Sequence, residues 1–517
     1  MKDKTDKTDK TKKEEKTKNS LGRQTRANLA VSVLYQIVAA ACSLILPRFI
    51  LRAFGSEVNG LMQSINQLLS YTMLMECGVG GQILASFYKP LADKDEKAVS
   101  DVFHYSRRFF NKISYVYMGF AVLLALTAKQ VIRTEHTYLY VFTLVLILAV
   151  SYYFSYYFAL TQRILIRADQ KIRIVQGVQS VTLILNAIIC VAAIRLGCGI
   201  HAVKLVSAIV FLLNPLFFRF YVNKHYHIHK ELYDKKRTFP RKRDALVHQI
   251  AFFVHMNTDI VLISAACGSK EVSVYSVYNS VLYAIQTFFT TVSDSFSAAI
   301  GNLIAKGEEN ALQTSFELYQ MVNTAAVTFA CVVEAILILP FVRIYTNGVT
   351  DALYIRPVFA YTMIAAQWFF CMRIPYNNTI YAAGQYRETK FGAYLEVLLN
   401  LSLSLVLLKP LGICGVAVGT FVAMAARAVY MAWYLSKHLL FRKLWLFFKE
   451  TVLHAAFGVL LVWIASNVLV IAADNLFVWA LYAVGVSVCV LLALVLFNLL
   501  VNRKTLADLA GRLKRKA

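Results

Sequence analysis

Stretches of about twenty apolar residues recur along the whole length of this chain, and no other feature restricts its fold as strongly. A helix needs about 20 apolar residues to cross a hydrocarbon core. We read fourteen such segments in 517 residues, at roughly 28–52, 60–87, 110–130, 137–161, 173–194, 199–220, 245–267, 273–303, 318–340, 352–372, 391–409, 413–435, 452–472 and 476–500. They are too long and too uniformly apolar for barrel strands, which leaves helices as the only spanning option. The expected fold is an all-α integral membrane protein of about 14 transmembrane helices. The chain is 58% hydrophobic and only 16% charged, where a soluble domain carries about 25% charge.

The formal net charge of +25 does not point to nucleic acid, because the Lys and Arg residues sit in short connections between apolar segments. The 219–243 loop, RFYVNKHYHIHKELYDKKRTFPRKR, holds nine of them. The 1–27 tail, this loop and the C-terminal segment from Asn502 fall on one side when spans are threaded in order. Connections on the other side hold few. Positive loops stay inside, so the reading is a multi-pass cytoplasmic-membrane protein, N-in and C-in. The Lys/Thr/Asp/Glu-rich first 27 residues read as a disordered tail able to touch anionic headgroups. The nine cysteines lie within or at the ends of apolar segments without a CxxC pair, as packing residues do.

Sliding the chain over itself by about 214 residues aligns five segments in order. GSEVNGLMQ (55–63) meets GSKEVSVYS (268–276), and ADKDEKAVS (92–100) meets KGEENALQT (306–314). RADQK (167–171) meets AAGQY (382–386), Asn186 meets Asn400, and LGCGIHAV (196–203) meets LGICGVAV (411–418). Duplicated six-helix halves are a transporter architecture, with the substrate path between them. The expected organisation is a 1–27 tail, an N-lobe at 28–221, an inter-lobe loop at 222–244 and a C-lobe at 245–436. Two further helices at 437–501 and a basic tail at 502–517 complete it.

Residues 47–110 carry Pro47-Arg48, an FGSE-NGL run, Glu76-Cys77-Gly78-Val79-Gly80 and Tyr88-Lys89-Pro90-Leu91. This region resembles bacterial polysaccharide transporters, the lipid-linked oligosaccharide (Wzx-like) flippases of the multidrug/oligosaccharidyl-lipid/polysaccharide superfamily. The resemblance implies export of undecaprenyl-diphosphate-linked sugar units by alternating access. It also implies membrane lipids, a polysaccharide polymerase and other export machinery as partners, without a cofactor.

Polar residues inside spans are costly and face protein or a water-filled path. Gln63, Asn66, Gln67 and Ser70 share one helix face. They read either as a cavity wall offering hydrogen bonds to sugar hydroxyls or as interhelical polar packing. Glu76 sits opposite this face. Asn279, Gln286 and Ser293 form a similar stripe, with Asp294 at its edge. His255 and Asp259, one turn apart, read as an ion-coupling pair or a structural one. Arg48 and Arg52 offer a diphosphate bidentate donors, or snorkel to headgroups. Arg427 and Glu396 read as an interhelical ion pair. The Tyr-rich 152–157 run suits sugar stacking or packing. HYHIH at 225–229 lacks the carboxylate or Cys support of a metal site.

No GxxxxGK phosphate loop is present, so ATP hydrolysis is not expected, and no connection is long enough for an extracytoplasmic catalytic domain. That disfavours a membrane polymerase or ligase. A peptidoglycan lipid-precursor flippase and a drug exporter of the same superfamily remain the alternatives. The charge asymmetry predicts that, in a background free of native cysteines, Lys270→Cys reacts with an impermeant thiol reagent on intact cells while Lys230→Cys does not. The reverse pattern would overturn the orientation.

Overall fold

Without water to complete backbone hydrogen bonds, an apolar chain at membrane depth closes them within helices. The computed structural model describes residues 2–72, 74, 79–229, 243–469, 471 and 473–501. Among them the regular structure is helical, with no strand. Among the described residues ten helices are long and apolar enough to cross a membrane, so the chain is a multi-pass membrane protein, and the count of fourteen spans is not confirmed. Pro357–Met372 has only 16 residues. Ser269–Lys306 is long but rich in Ser, Thr, Asn and Gln. The expected 60–87 span is interrupted by a turn at Tyr71 and Thr72, directly after the helix that ends at Ser70. A polar stripe lowers hydropathy in the helices that carry one.

The first helix, Lys2–Ser70, contains Pro47, yet its dihedrals depart from helical values at Gly55 (φ 80°, ψ 177°). It also takes in residues 2–27, which composition leaves without expected structure. That segment has no proline, and Gly22 is its one helix breaker. The duplication is visible in the backbone. Left-handed φ values occur at Gly55 and Gly268, Lys94 and Gly307, Gln170 and Gly384, and Gly197 and Gly412. Each pair lies 213–215 residues apart, so the turns repeat as well as the sequence.

The chain divides into two compact units. The first comprises Met1–Ala53, Tyr71–Gln130 and His136–Arg241. The second comprises Phe54–Ser70, Val131–Glu135 and Lys242–Ala517. The first unit has a core that includes Ile83, Phe87, Phe110, Leu165 and Phe218. Asn28 Nδ2 donates to the Gln170 carbonyl at 2.7 Å and Ser32 Oγ to Gln176 Oε1 at 2.5 Å. The tyrosine run forms a π-helical turn, Ser155–Ala159, and packs Tyr152 and Tyr156 against the buried Tyr117. In the histidine-rich segment, His225 stacks on Tyr221 and the His229 N–H donates to Ser100 Oγ. No metal-binding cluster occurs among the described residues.

The second unit is built on the pair Lys390–Leu411 and Ile413–His438. A Cβ at Gly415 would stand 2.2 Å from the Leu407 carbonyl oxygen, and one at Gly419 2.4 Å from Ser404 Oγ. These glycines let the two backbones approach, as small residues do between membrane helices. The last helices, Trp445–Val468 and Leu476–Val501, pack on Glu309–Tyr345, where Val332 and Leu337 meet Val486, Val490 and Leu494. Arg442 anchors their approach, donating to Gln320 Oε1 at 2.5 Å and to Tyr376 OH at 3.1 Å. Gly419→Leu should destabilise the purified protein by about 1–3 kcal/mol, the usual cost of overpacking. Thermal melting in detergent reads this, and an unchanged melt would rule out the close approach.

Candidate functional site

Two helices of the second unit begin with the same dipeptide, Gly55-Ser56 and Gly268-Ser269, and they meet there. A Cβ on Gly60 would lie 1.7 Å from the Ser269 carbonyl oxygen, so only glycine permits this crossing. Ser56, Asn59, Ser269 and Ser273 are all buried at the contact. The segment around Arg133 closes over it. The Ser269 N–H donates to the Arg133 carbonyl, and Glu57 accepts from Thr134 Oγ1 and the Glu135 N–H.

A single chain of hydrogen bonds runs through the crossing. Asn59 Nδ2 donates to Ser273 Oγ at 2.7 Å. Ser273 Oγ lies 2.9 Å from Tyr354 OH, which lies 2.6 Å from Ser56 Oγ. Ser56 donates to Asp351 from its hydroxyl at 2.6 Å and from its N–H at 2.7 Å. An amide N–H only donates and a carboxylate only accepts. The two ends therefore fix the direction of every hydroxyl between them, from Asn59 through Ser273, Tyr354 and Ser56 to Asp351. Such chains strengthen cooperatively.

The polar stripe read from Gln63 to Ser70 divides in two. Gln67 and Ser70 both donate to Asn257 Oδ1, Ser70 at 3.0 Å. That is interhelical packing. Gln63 and Asn66, like Asn279 and Gln286 on Ser269–Lys306, are partly exposed. None of these four side chains has a hydrogen bond among the described residues.

Asp259 is 3% exposed on Arg243–Ala266. Its Oδ2 accepts from Tyr275 OH at 3.1 Å and Thr420 Oγ1 at 2.9 Å. Thr420 accepts in turn from Asn400 Nδ2 at 2.9 Å. Asp259 Oδ1, Asn400 Oδ1 and Ser404 Oγ have no hydrogen-bond partner among the described residues. The site thus presents a carboxylate, an amide carbonyl and hydroxyls, the oxygen donors suited to a hard cation. The side chains of His255 and Asp294 lie outside the described residues, as does Glu76, so the His255–Asp259 pair has no geometry here.

Arg48 is half-buried, one residue past Pro47, and Arg52 is exposed. Both belong to the first unit. Arg427 Nε lies 3.6 Å from Glu396 Oε2, and Arg373 Nη1 lies 3.1 Å from the same oxygen. The expected pair is a buried triad. Sequence reading missed Arg373, Thr420, Asp351 and Tyr354. The repeated Gly-Ser marked the two equivalent helix starts that Asp351 and Tyr354 join, but not those two residues.

No protein-family model matches the chain, and no curated protein matches it. Solved structures do. A structure of the lipid II flippase MurJ in an inward closed conformation matches 91% of this chain and 98% of its own, with a TM-score of 0.71 at 12% identity. An inward-facing multidrug resistance MATE transporter of the MOP superfamily covers 80% of this chain and 97% of its own, with a TM-score of 0.57 at 12% identity. A Vibrio cholerae MATE transporter covers 82% and 98%, with a TM-score of 0.52 at 12% identity. The chain therefore has the fold of these membrane transporters.

The directed hydrogen-bond chain predicts non-additivity. Tyr354→Phe and Ser56→Ala should each cost about 1–3 kcal/mol, the penalty for leaving buried groups unpaired. The double variant should cost clearly less than their sum. Additive losses in a thermal-melt double-mutant cycle would show that the two hydroxyls do not act together.

Proposed function

We propose that the chain is a flippase for undecaprenyl-diphosphate-linked oligosaccharide, a capsule, O-antigen or exopolysaccharide unit, and works by alternating access in the cytoplasmic membrane. The observation that carries this reading is an apolar groove of about 720 Å³ in the second unit. Ile336, Leu461, Ile464, Leu481, Val486 and Val490 contribute to its lining. Most of it comes from the last two helices, which lie outside the duplicated core. A groove lined almost wholly by apolar side chains suits a polyprenyl tail better than a cationic drug. The amides of Gln63, Asn66, Asn279 and Gln286, without hydrogen-bond partners among the described residues, suit sugar hydroxyls, and Asp294 is assigned a further contact. The lipid-precursor flippase named among the structural matches is the nearer alternative to a drug exporter.

The energetics need no nucleotide. A diphosphate carries about two negative charges, and each is worth about 2.3 kcal/mol per 100 mV. Outward movement from an inside-negative cell is thus favoured by about 4.6 kcal/mol per 100 mV. Bare hydrocarbon is prohibitive for such a group, so cationic side chains must shield it. Arg48 is assigned this role, with Arg52 secondary. Asp259, with Asn400 and Thr420, is assigned the coupling cation, and His255 a supporting role one turn away. Opening of the crossing at Ser56 and Ser273 would release the sugar outward.

Vesicles with an imposed potential and no ATP test this. Arg48→Ala should lose at least tenfold in flipping of a lipid-linked oligosaccharide at unchanged membrane abundance, and Arg48→Lys should keep part of it. Asp259→Asn should flip without responding to a cation gradient. Transport of lipid II but of no longer oligosaccharide would move the assignment to the peptidoglycan precursor. An absolute ATP requirement would overturn it.

A further inference from the structure

Glu334 sits in the Glu309–Tyr345 helix and is 5% exposed. It belongs neither to the repeated crossing nor to the Asp259 site. Its Oε2 accepts a hydrogen bond from Gln367 Nε2 at 2.8 Å. Gln367, on Pro357–Met372, is 1% exposed. Two oxygens are left over. Glu334 Oε1 and Gln367 Oε1 are both buried and have no hydrogen-bond partner among the described residues.

An ionised carboxylate and an amide oxygen are both acceptors only. With Glu334 charged, one neutral N–H would have to answer a full negative charge at membrane depth, with two acceptors left unmet. Either cost is severe at a site this deeply buried. No Lys, Arg or His forms an ion pair with Glu334 among the described residues. Elsewhere the same two helices do form hydrogen bonds. Asn323 Nδ2 donates to the Cys371 carbonyl at 3.1 Å, and Trp368 Nε1 to Thr328 Oγ1 at 3.3 Å.

One proton resolves the site. A neutral carboxylic acid and a primary amide are complementary, the acid carbonyl accepting the amide N–H while the acid O–H donates to the amide carbonyl. A proton on Glu334 Oε1 would supply the donor that the orphan oxygens lack and would cancel the charge. We propose that Glu334 and Gln367 form a proton-binding site between these two helices, holding the proton as an acid–amide pair. The site is independent of which substrate the protein moves. It gives the second unit an acid that binds a proton, apart from one whose oxygens are arranged for a cation.

Infrared spectroscopy of the full-length protein in lipid nanodiscs tests this at about pH 7, where a solvated glutamate is ionised. With glutamate carboxyls labelled by carbon-13, the wild type should show a protonated-acid carbonyl band that shifts with the label. Glu334→Gln, which preserves a paired amide geometry, should lose that band. Absence of a label-sensitive acid band, or its persistence in Glu334→Gln, would overturn the proposal. So would sodium-dependent thermal stabilisation lost in Glu334→Gln without any acid band, which would mean a metal cation sits between the oxygens. Should Glu334→Gln not fold, a hydrophobic carbodiimide adduct mapped by mass spectrometry assigns the band in the wild type. An adduct at Glu334 supports the site, and adducts confined to other carboxyls count against it.

Discussion

At membrane depth a polar side chain has no water to fall back on, and the interior of the second unit is arranged around that constraint. The chain from Asn59 Nδ2 to Asp351 meets it for every hydroxyl along its length. Every hydroxyl donates once and accepts at least once, because one end can only give and the other can only take. The Arg373–Glu396–Arg427 triad meets it with charge. One carboxylate oxygen stands within 3.6 Å of two guanidinium nitrogens, in residues that are each less than 5% exposed. Such a buried group adds little net stability when intact, yet removing one partner costs about 3–5 kcal/mol. It therefore fixes the register of three segments more than it strengthens them.

Against that background the exceptions are informative. A polar group that the protein answers is structural, whereas one left without a protein partner is available to something else. By this criterion Gln67 and Ser70, which share Asn257, separate from Gln63 and Asn66 on the same helix face. It also separates Thr420, which is fully engaged, from Asp259 Oδ1 and Asn400 Oδ1, which are not. The candidate site is thus defined by unmet valence at membrane depth rather than by polarity alone.

Helical fold, duplication and the Glu396–Arg427 contact were legible in the sequence, because each depends on periodicity or on opposite charges in neighbouring spans. The number of spans was less so. Helices such as Ser269–Lys306 trade hydropathy for a polar face, and a turn at Tyr71 and Thr72 interrupts the 60–87 stretch. Tyr354 and Asp351 were not legible. They lie between the helices Glu309–Tyr345 and Pro357–Met372 and close a contact whose partners are about 300 residues away in sequence. Glu334 was passed over because a lone acid in an apolar helix carries no local pattern. Only its neighbour Gln367, on another helix, gives it meaning. Arg373 joins the expected pair from a helix junction, which spacing within a helix does not reveal.

The duplication exposes where the two halves have diverged. Glu396 and Arg427 correspond, at the repeat offset, to Thr182 and Asn214. In the first unit those residues also bond to each other, Thr182 Oγ1 to Asn214 Oδ1 at 2.9 Å. The same interhelical contact is therefore neutral in one half and ionic in the other. Asn186 and Asn400, one turn further along, are retained in both. Asn400 faces Thr420 in the Asp259 site, whereas Asn186 Oδ1 accepts only a weak bond from Cys190 Sγ at 3.4 Å. The positions that correspond to Asp259 and Glu334 are apolar or Gly in the first half, Leu44 to Leu46 and Gly119 to Ala121. A neutral contact suffices to hold a helix pair together, so packing does not explain the added charge. The charge instead follows the half that carries Asp259 and Glu334. A common scaffold was retained in both halves, and Asp259, Glu334 and the Arg373–Glu396–Arg427 triad all lie in the second.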